Sequence, residues 1–308
     1  MGVTREDVVE AGRRIEGHVR RTPVLGPGAG DVAWFKLELL QHCGVFKTRG
    51  AFNRQLVGLE RGEIGPAGIV IASGGNAGLA QAFAARALGV RATVVVPESA
   101  PAVKVERIEA YGARVRRAGA EYAAAYVASL EIAEATGAVV VHAYDQPEVV
   151  AGAGTLAEEL LEDVPDLDTI VVAVGGGGLY AGVAAAARGR ARVVAVEPER
   201  CPTLASALGA GEPVDVAVGG VAADSLGARR LGGLAFAAAQ EERPVSVLVT
   251  DEEIVAARDR LWRELRVPSE HGAAAAYAAL TSGRYVPADG ERVAVVVCGA
   301  NTDLRTLA

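Results

Sequence analysis

The hydrophobic pattern of this chain is a repeating unit: a short run of β-branched and apolar residues, a glycine-rich turn, then an alanine-rich stretch of helical composition. Residues 68–72 run into Ser-Gly-Gly-Asn-Ala-Gly and a helix expected over 79–88. Residues 92–96 run through Pro-Glu-Ser-Ala-Pro into a helix over 103–111. Residues 139–141 lead through His-Ala-Tyr-Asp-Gln-Pro into a helix around 154–161. Residues 170–174 lead through four glycines into 179–188, and a further apolar run follows at 193–196. Continuous apolar runs, without the in–out alternation of a half-exposed strand, predict strands buried on both faces in parallel sheets covered by helices. The units fall into two groups. This predicts an α/β fold of two open, mostly parallel twisted sheets flanked by helices, with a cleft between the domains. The small domain is expected over 48–136, and the large one over 1–47 plus 137–308. In such folds ligands bind beyond the C-terminal ends of the strands.

Composition narrows the function classes. Of the 308 residues 51% are hydrophobic and 22% charged, the balance of a globular protein with extensive burial. A formal net charge of −7 and a pI near 5.3 argue against nucleic acid or an anionic membrane as the main partner. The first residues are acidic and lack an apolar core, so no signal peptide is expected, and the apolar runs are too short to span a bilayer. Three cysteines, Cys43, Cys201 and Cys298, have no metal-ligand spacing, and the four histidines are scattered. A reduced, cytoplasmic protein without zinc is the expectation.

Four segments carry chemistry. In Gly-Val-Phe-Lys-Thr-Arg-Gly-Ala, Lys47 has apolar neighbours that would partly desolvate its ammonium, lower its pKa and free the amine for imine formation; the alternative is a solvated surface charge. Gly175, Gly176, Gly177 and Gly178, followed by Leu179, lie between a strand and a helix, where backbone N–H groups converge on an anion, favouring a phosphate. A dinucleotide site is the rival from another class, because Glu197 follows near the ~20-residue separation expected of a ribose-binding acid. Its fingerprint fails, since glycine is missing at Tyr180 and Ala181, and no Gly-Lys-Ser/Thr makes a Walker loop either. Ser73-Gly74-Gly75-Asn76-Ala77-Gly78 offers a hydroxyl, an amide and backbone donors at a helix start, suited to a carboxylate or simply to an N-cap. Cys298-Gly299-Ala300-Asn301 follows the apolar run 293–297, where Cys298 alone reads as a buried strand residue.

These four pieces, in this order, resemble the pyridoxal-phosphate enzymes of fold type II, the tryptophan synthase β family, and within it the serine/threonine dehydratase and serine racemase branch. The segments VVVPESAPAVKVERIEAYGARV, HAYDQPEVVAGAGT, VEPE and ADSLGARRLG support the likeness, which covers about residues 20–304. The resemblance implies pyridoxal 5′-phosphate held as an imine on Lys47, which then acts as base at the substrate α-carbon. It implies Asn76 on the cofactor ring oxygen, Phe46 beside the ring, and Cys298 facing the pyridine nitrogen. Gly175, Gly176, Gly177, Gly178 and Leu179 would cradle the phosphate, while Ser73, Gly74, Asn76 and Ala77 bind the substrate carboxylate. A homodimer acting on a small amino acid is implied as well.

Three departures bear on activity. Racemases of the branch carry a serine where this chain has Gly74, so a second acid/base at the α-carbon is missing and elimination is favoured over racemisation. The family's divalent-cation site uses a glutamate and an aspartate a few residues later. Glu197 matches the first, but Cys201 and Thr203 occupy the following stretch, so no metal is expected, with Glu197 the one candidate ligand. Val45 and Ser225 stand where many relatives have serine and glycine. The expected reaction is dehydration and deamination of a 3-hydroxy amino acid such as L-threonine or L-serine. The rivals are racemisation, β-replacement, an unusual 3-hydroxy substrate such as a 3-hydroxyaspartate, and nicotinamide-dependent oxidoreduction.

Overall fold

A computed structural model describes residues 2–28, 33–120 and 122–307. The chain opens with α1 (Arg5–Ile15), started by a capping box in which Thr4 and Asp7 satisfy each other's backbone N–H groups. Next come β1 (Val24–Leu25), β2 (Ala33–Lys36) and α2 (Lys47–Glu60). A first βα series follows: β3 (Ile69–Ala72), α3 (Asn76–Leu88), β4 (Ala92–Val96), α4 (Ala102–Glu109), β5 (Arg114–Arg117), α5 (Tyr122–Thr136) and β6 (Val139–Val140). A second series comprises α6 (Pro147–Asp163), β7 (Thr169–Ala173), α7 (Gly178–Ala187), β8 (Arg192–Pro198), α8 (Thr203–Ala210), α9 (Ala223–Leu226), α10 (Gly233–Glu242), β9 (Val245–Val249), α11 (Asp251–Leu265), α12 (His271–Thr281) and β10 (Val293–Val296).

Two sheets result. The larger has the order β1-β2-β10-β7-β8-β9 and the smaller β5-β4-β3-β6, with every pairing parallel except β1 against β2. All residues of β3, β7 and β10 are buried, as the unbroken apolar runs require. β6 pairs with β3, so residues 139–140 join the smaller sheet, although the sequence pattern groups them with the second set of units. Two residues of pairing are too short to carry a periodicity of their own, and the backbone ladder decides their side. β5 reads Arg-Val-Arg-Arg and escapes an apolar scan; it is an edge strand whose charges discourage further pairing. α6 starts at Pro147, well before the expected 154, because proline at the first helical turn costs no hydrogen bond.

α2 packs on α3 of the smaller unit and on α6 of the larger. Its first turn is anchored by the fully buried Arg49, whose Nε and Nη2 donate to the Glu38 carboxylate at 2.9 and 2.8 Å and whose Nη1 donates to Glu159 at 2.7 Å. Buried Lys36 donates to Glu159 at 2.7 Å and to the Thr22 carbonyl at 2.7 Å. This ion cluster sets where α2 begins, and therefore where Lys47 stands.

Candidate active site

Three of the four segments lie at the C-terminal ends of strands: Ser73–Gly78 after β3, Gly175–Leu179 after β7 and Cys298–Asn301 after β10. The fourth, containing Lys47, is stitched to the last by backbone. Val45 bridges Gly299, the Phe46 N–H donates to the Cys298 carbonyl at 3.0 Å, and the Ala300 N–H donates to the Gly44 carbonyl at 3.0 Å. Lys47 and Cys298 thus become neighbours although they are far apart in sequence.

A cleft between the sheets is lined by Phe46, Lys47, Ala77, Tyr144, Gly178 and Leu179, among others. Lys47 Nζ donates to the Ala143 carbonyl at 3.2 Å and lies 5.0 Å from the Phe46 ring centroid. Burial pulls the Lys47 ammonium down to about 8, against the opposing pull of Glu270. Burial pushes the Cys298 thiol far above its ordinary range, helped by the nearby Glu270 carboxylate, so it stays protonated.

The glycines are tightly enclosed. A Cβ on Gly176 would come within 2.5 Å of the Tyr144 ring, and one on Gly178 within 2.5 Å of the Tyr144 carbonyl oxygen. Gly177 has φ of +88°, a conformation that L side chains rarely adopt. Asp145 holds the adjoining helix in place, accepting from the Gly233 and Leu234 N–H groups of α10 at 2.9 and 3.0 Å, while the Gly232 N–H donates to the Gly176 carbonyl at 3.0 Å. In the Ser73 turn, the hydroxyl accepts from the Gly75 N–H at 3.3 Å and the half-buried Asn76 begins α3. Gly78 is obligatory there, since a Cβ would lie 2.0 Å from the Ser73 carbonyl oxygen.

Glu197 is fully buried and caps α8: it accepts from the Leu204 and Ala205 N–H groups at 2.6 and 2.9 Å and from the Thr203 hydroxyl at 3.1 Å. Burial raises it to about 7 against these hydrogen bonds. Cys201 donates its thiol to the Gly219 carbonyl. Among the described residues no group of three or more His, Cys, Asp or Glu side chains is placed to hold a metal ion. Thr203 does not supply the carboxylate a hard cation wants, and a helix N-terminus occupies the one that is present.

Several site residues escaped the motifs. Glu270, just before α12, accepts from Asn76 Nδ2 at 2.9 and 3.1 Å, and burial raises its carboxyl to about 7. Tyr144 lines the cleft, Arg107 borders its mouth, and Asp145 secures the helix behind the glycine turn. Tyr144, Asp145 and Arg107 fall in segments that carry the family likeness and Glu270 in none, but nothing local marks any of the four, so only proximity reveals them.

Residues 15–299 match the family described as pyridoxal-phosphate dependent enzymes. The chain belongs to that family. It is 36% identical to the L-threonine ammonia-lyase of Thermotoga maritima over 99% of this chain and 77% of that one. Among solved structures, maize serine racemase superposes with a TM-score of 0.92 at 33% identity, covering 100% of this chain and 96% of that one. The T.th. threonine deaminase superposes with a TM-score of 0.89 at 32% identity, covering 97% and 99%. Membership of the pyridoxal-phosphate family removes the dinucleotide alternative, and the acid it needed, Glu197, is buried at α8 rather than offered to a ribose. The site of this family member suits its cofactor. The glycine turn leaves no room for side chains beyond Cα, and Gly178 and Leu179 at the start of α7, where the first backbone N–H groups lack a partner within the helix, line the same cleft as Lys47.

Proposed function

We propose that this protein is an ammonia-lyase that eliminates water from a 3-hydroxy amino acid, such as L-threonine or L-serine, yielding a 2-oxo acid and ammonia. The observation that carries this reading is the pairing of a buried, weakly basic Lys47 with a glycine, Gly74, in the turn assigned to the substrate. Bound pyridoxal phosphate would supply an electron-withdrawing ring that acidifies the substrate α-proton. Lys47 would hold the cofactor and take that proton at the α-carbon, its lowered basicity keeping part of it as free amine near neutral pH. Ser73, Gly74, Asn76 and Ala77, at the positive end of α3, would hold the substrate carboxylate. The glycine turn with Leu179 would grip the phosphate, Phe46 would pack beside the ring, and Asn76 would donate to the ring oxygen. Cys298 would face the ring nitrogen as a neutral thiol, which transfers no proton to it.

With no carboxylate or serine at position 74, a proton lost from one face has no side chain there to return it from the other. That supports elimination over the racemisation of relatives such as the maize enzyme. The reading includes a reaction without a divalent cation at Glu197, a homodimer and a cytoplasmic setting, the last two resting on family likeness. It also divides the chain into a small domain over 48–136 and a larger remainder. The test is to incubate purified protein with L-serine and L-threonine. Pyruvate or 2-oxobutyrate is expected, and Lys47→Ala should abolish both products along with the visible absorption of the bound cofactor. Formation of the D-isomer without a 2-oxo acid would overturn the proposal.

A further inference from the structure

Four polar side chains form a line across the mouth of the cleft. Arg107 Nη2 donates to Asn301 Oδ1 at 2.6 Å, Asn301 Nδ2 donates to Asn76 Oδ1 at 2.7 Å, and Asn76 Nδ2 donates to the Glu270 carboxylate at 2.9 and 3.1 Å. Every bond points the same way, from a guanidinium to a carboxylate, with each amide accepting on its oxygen and donating from its nitrogen. Such a chain is mutually polarising, with a fixed cation at its head and the raised carboxyl of Glu270 at its tail. It also crosses between the sheets at each step. Arg107 on α4 and Asn76 on α3 belong to the smaller unit, whereas Asn301 after β10 and Glu270 before α12 belong to the larger.

The ends determine how the middle lies. A flipped Asn76 would turn its carbonyl toward the Glu270 carboxylate and its amide N–H groups toward those of Asn301. A flipped Asn301 would turn its N–H groups toward the Arg107 guanidinium and give up the bond to the Cys43 carbonyl, now 2.9 Å. An arginine donates and never accepts, so the cation at the head fixes the direction of the whole line. Arg107 itself is exposed and contributes little to the packing of the core.

We propose that Arg107 is a positioning residue for the cofactor site: through Asn301 it fixes the amide orientation of Asn76, and with it the donor that Asn76 presents to the cofactor. This rests on the reading that Asn76 donates to the cofactor ring oxygen. The role belongs to the closed arrangement of the two sheets, because the line is continuous only when both contribute their residues.

The experiment measures the cofactor dissociation constant and the visible absorption spectrum of Arg107→Met, Arg107→Lys and Asn301→Ala, alone and combined. Arg107→Met is expected to weaken cofactor binding about tenfold, as for the loss of one charge-assisted bond, and to shift the absorption band of the bound cofactor. Its thermal midpoint should stay near that of the parent. Arg107→Lys should recover part of both effects, since the ammonium can still donate to Asn301. In the Asn301→Ala background, Arg107→Met should add nothing further, because its route to Asn76 is already cut. Unchanged affinity and spectrum in Arg107→Met, or simple additivity with Asn301→Ala, would overturn the role of Arg107. A parent protein that binds the cofactor normally but is indifferent to Asn76→Ala would instead overturn the reading of Asn76 on which it rests.

Discussion

Lys47 shows how one residue type takes on chemistry from its surroundings. Its neighbours in sequence announced partial desolvation, and the fold completes it, placing the amine between Phe46 and the Ala143 carbonyl with its basicity lowered to about 8 by burial. The free-amine fraction in cofactor-free protein therefore rises as pH passes 8. Capture of added pyridoxal phosphate, followed by absorbance in rapid mixing, should accelerate roughly tenfold between pH 7 and 9; a rate flat over this range would contradict a lysine of lowered basicity. Lys47, Gly74 and the glycine turn were legible in the sequence because each stands in a short motif with restricted local geometry. Glu270 was not: Ser-Glu-His-Gly reads as an ordinary helix start, and only the fold brings its carboxylate to Asn76.

At the scale of elements, charge placed inside the protein decides where helices begin. Arg49, two residues beyond Lys47, is locked between Glu38 and Glu159 with no exposure to solvent. Removing it leaves the buried Glu38 carboxylate without a counter-charge, while Glu159 keeps Lys36, so Arg49→Met should lower unfolding stability by about 3–5 kcal/mol, measured by urea denaturation. Loss of less than about 1 kcal/mol would mean that the cluster is solvated. Glu197 belongs to a different regime, since burial outweighs its bonds to α8 and lifts it to about 7. A carboxyl whose folded pKa is raised binds its proton more tightly when folded. Its stabilising contribution is full below the unfolded value near 4.5 and is lost as pH rises through 7. Glu270, raised in the same way, adds to the trend. Stability of the parent should fall between pH 5 and 8, and Glu197→Gln should flatten that slope by on the order of 1–3 kcal/mol. An unchanged slope would remove Glu197 as its source.

For the whole molecule, the decisive feature is the relation between two sheets. Lys104 on α4 pairs with Asp224 on α9 across the cleft mouth, tying the smaller unit to the larger beside the Ser73 turn. A part-exposed pair of this kind adds little to global stability, roughly 0–1 kcal/mol, yet it favours closure. Lys104→Met should leave the thermal midpoint almost unchanged and raise KM several-fold. Added salt should raise KM in the parent by screening the pair and have little effect in the variant; equal salt dependence in both would argue against a closing role. By itself the sequence determined the α/β class, the glycine-rich turns that follow β3 and β7, and the apolar setting of Lys47. Those features are written in local periodicity and in glycines whose backbone freedom is a local property. Tertiary structure alone decided the rest. It assigned β6 to the smaller sheet, placed Glu197 at the N-terminus of α8, and joined Arg107, Asn301, Asn76 and Glu270 into one line. The physical reason is that each of these depends on which distant backbone or side chain supplies the partner, and hydrogen bonds and charge pairs act through space rather than along the chain.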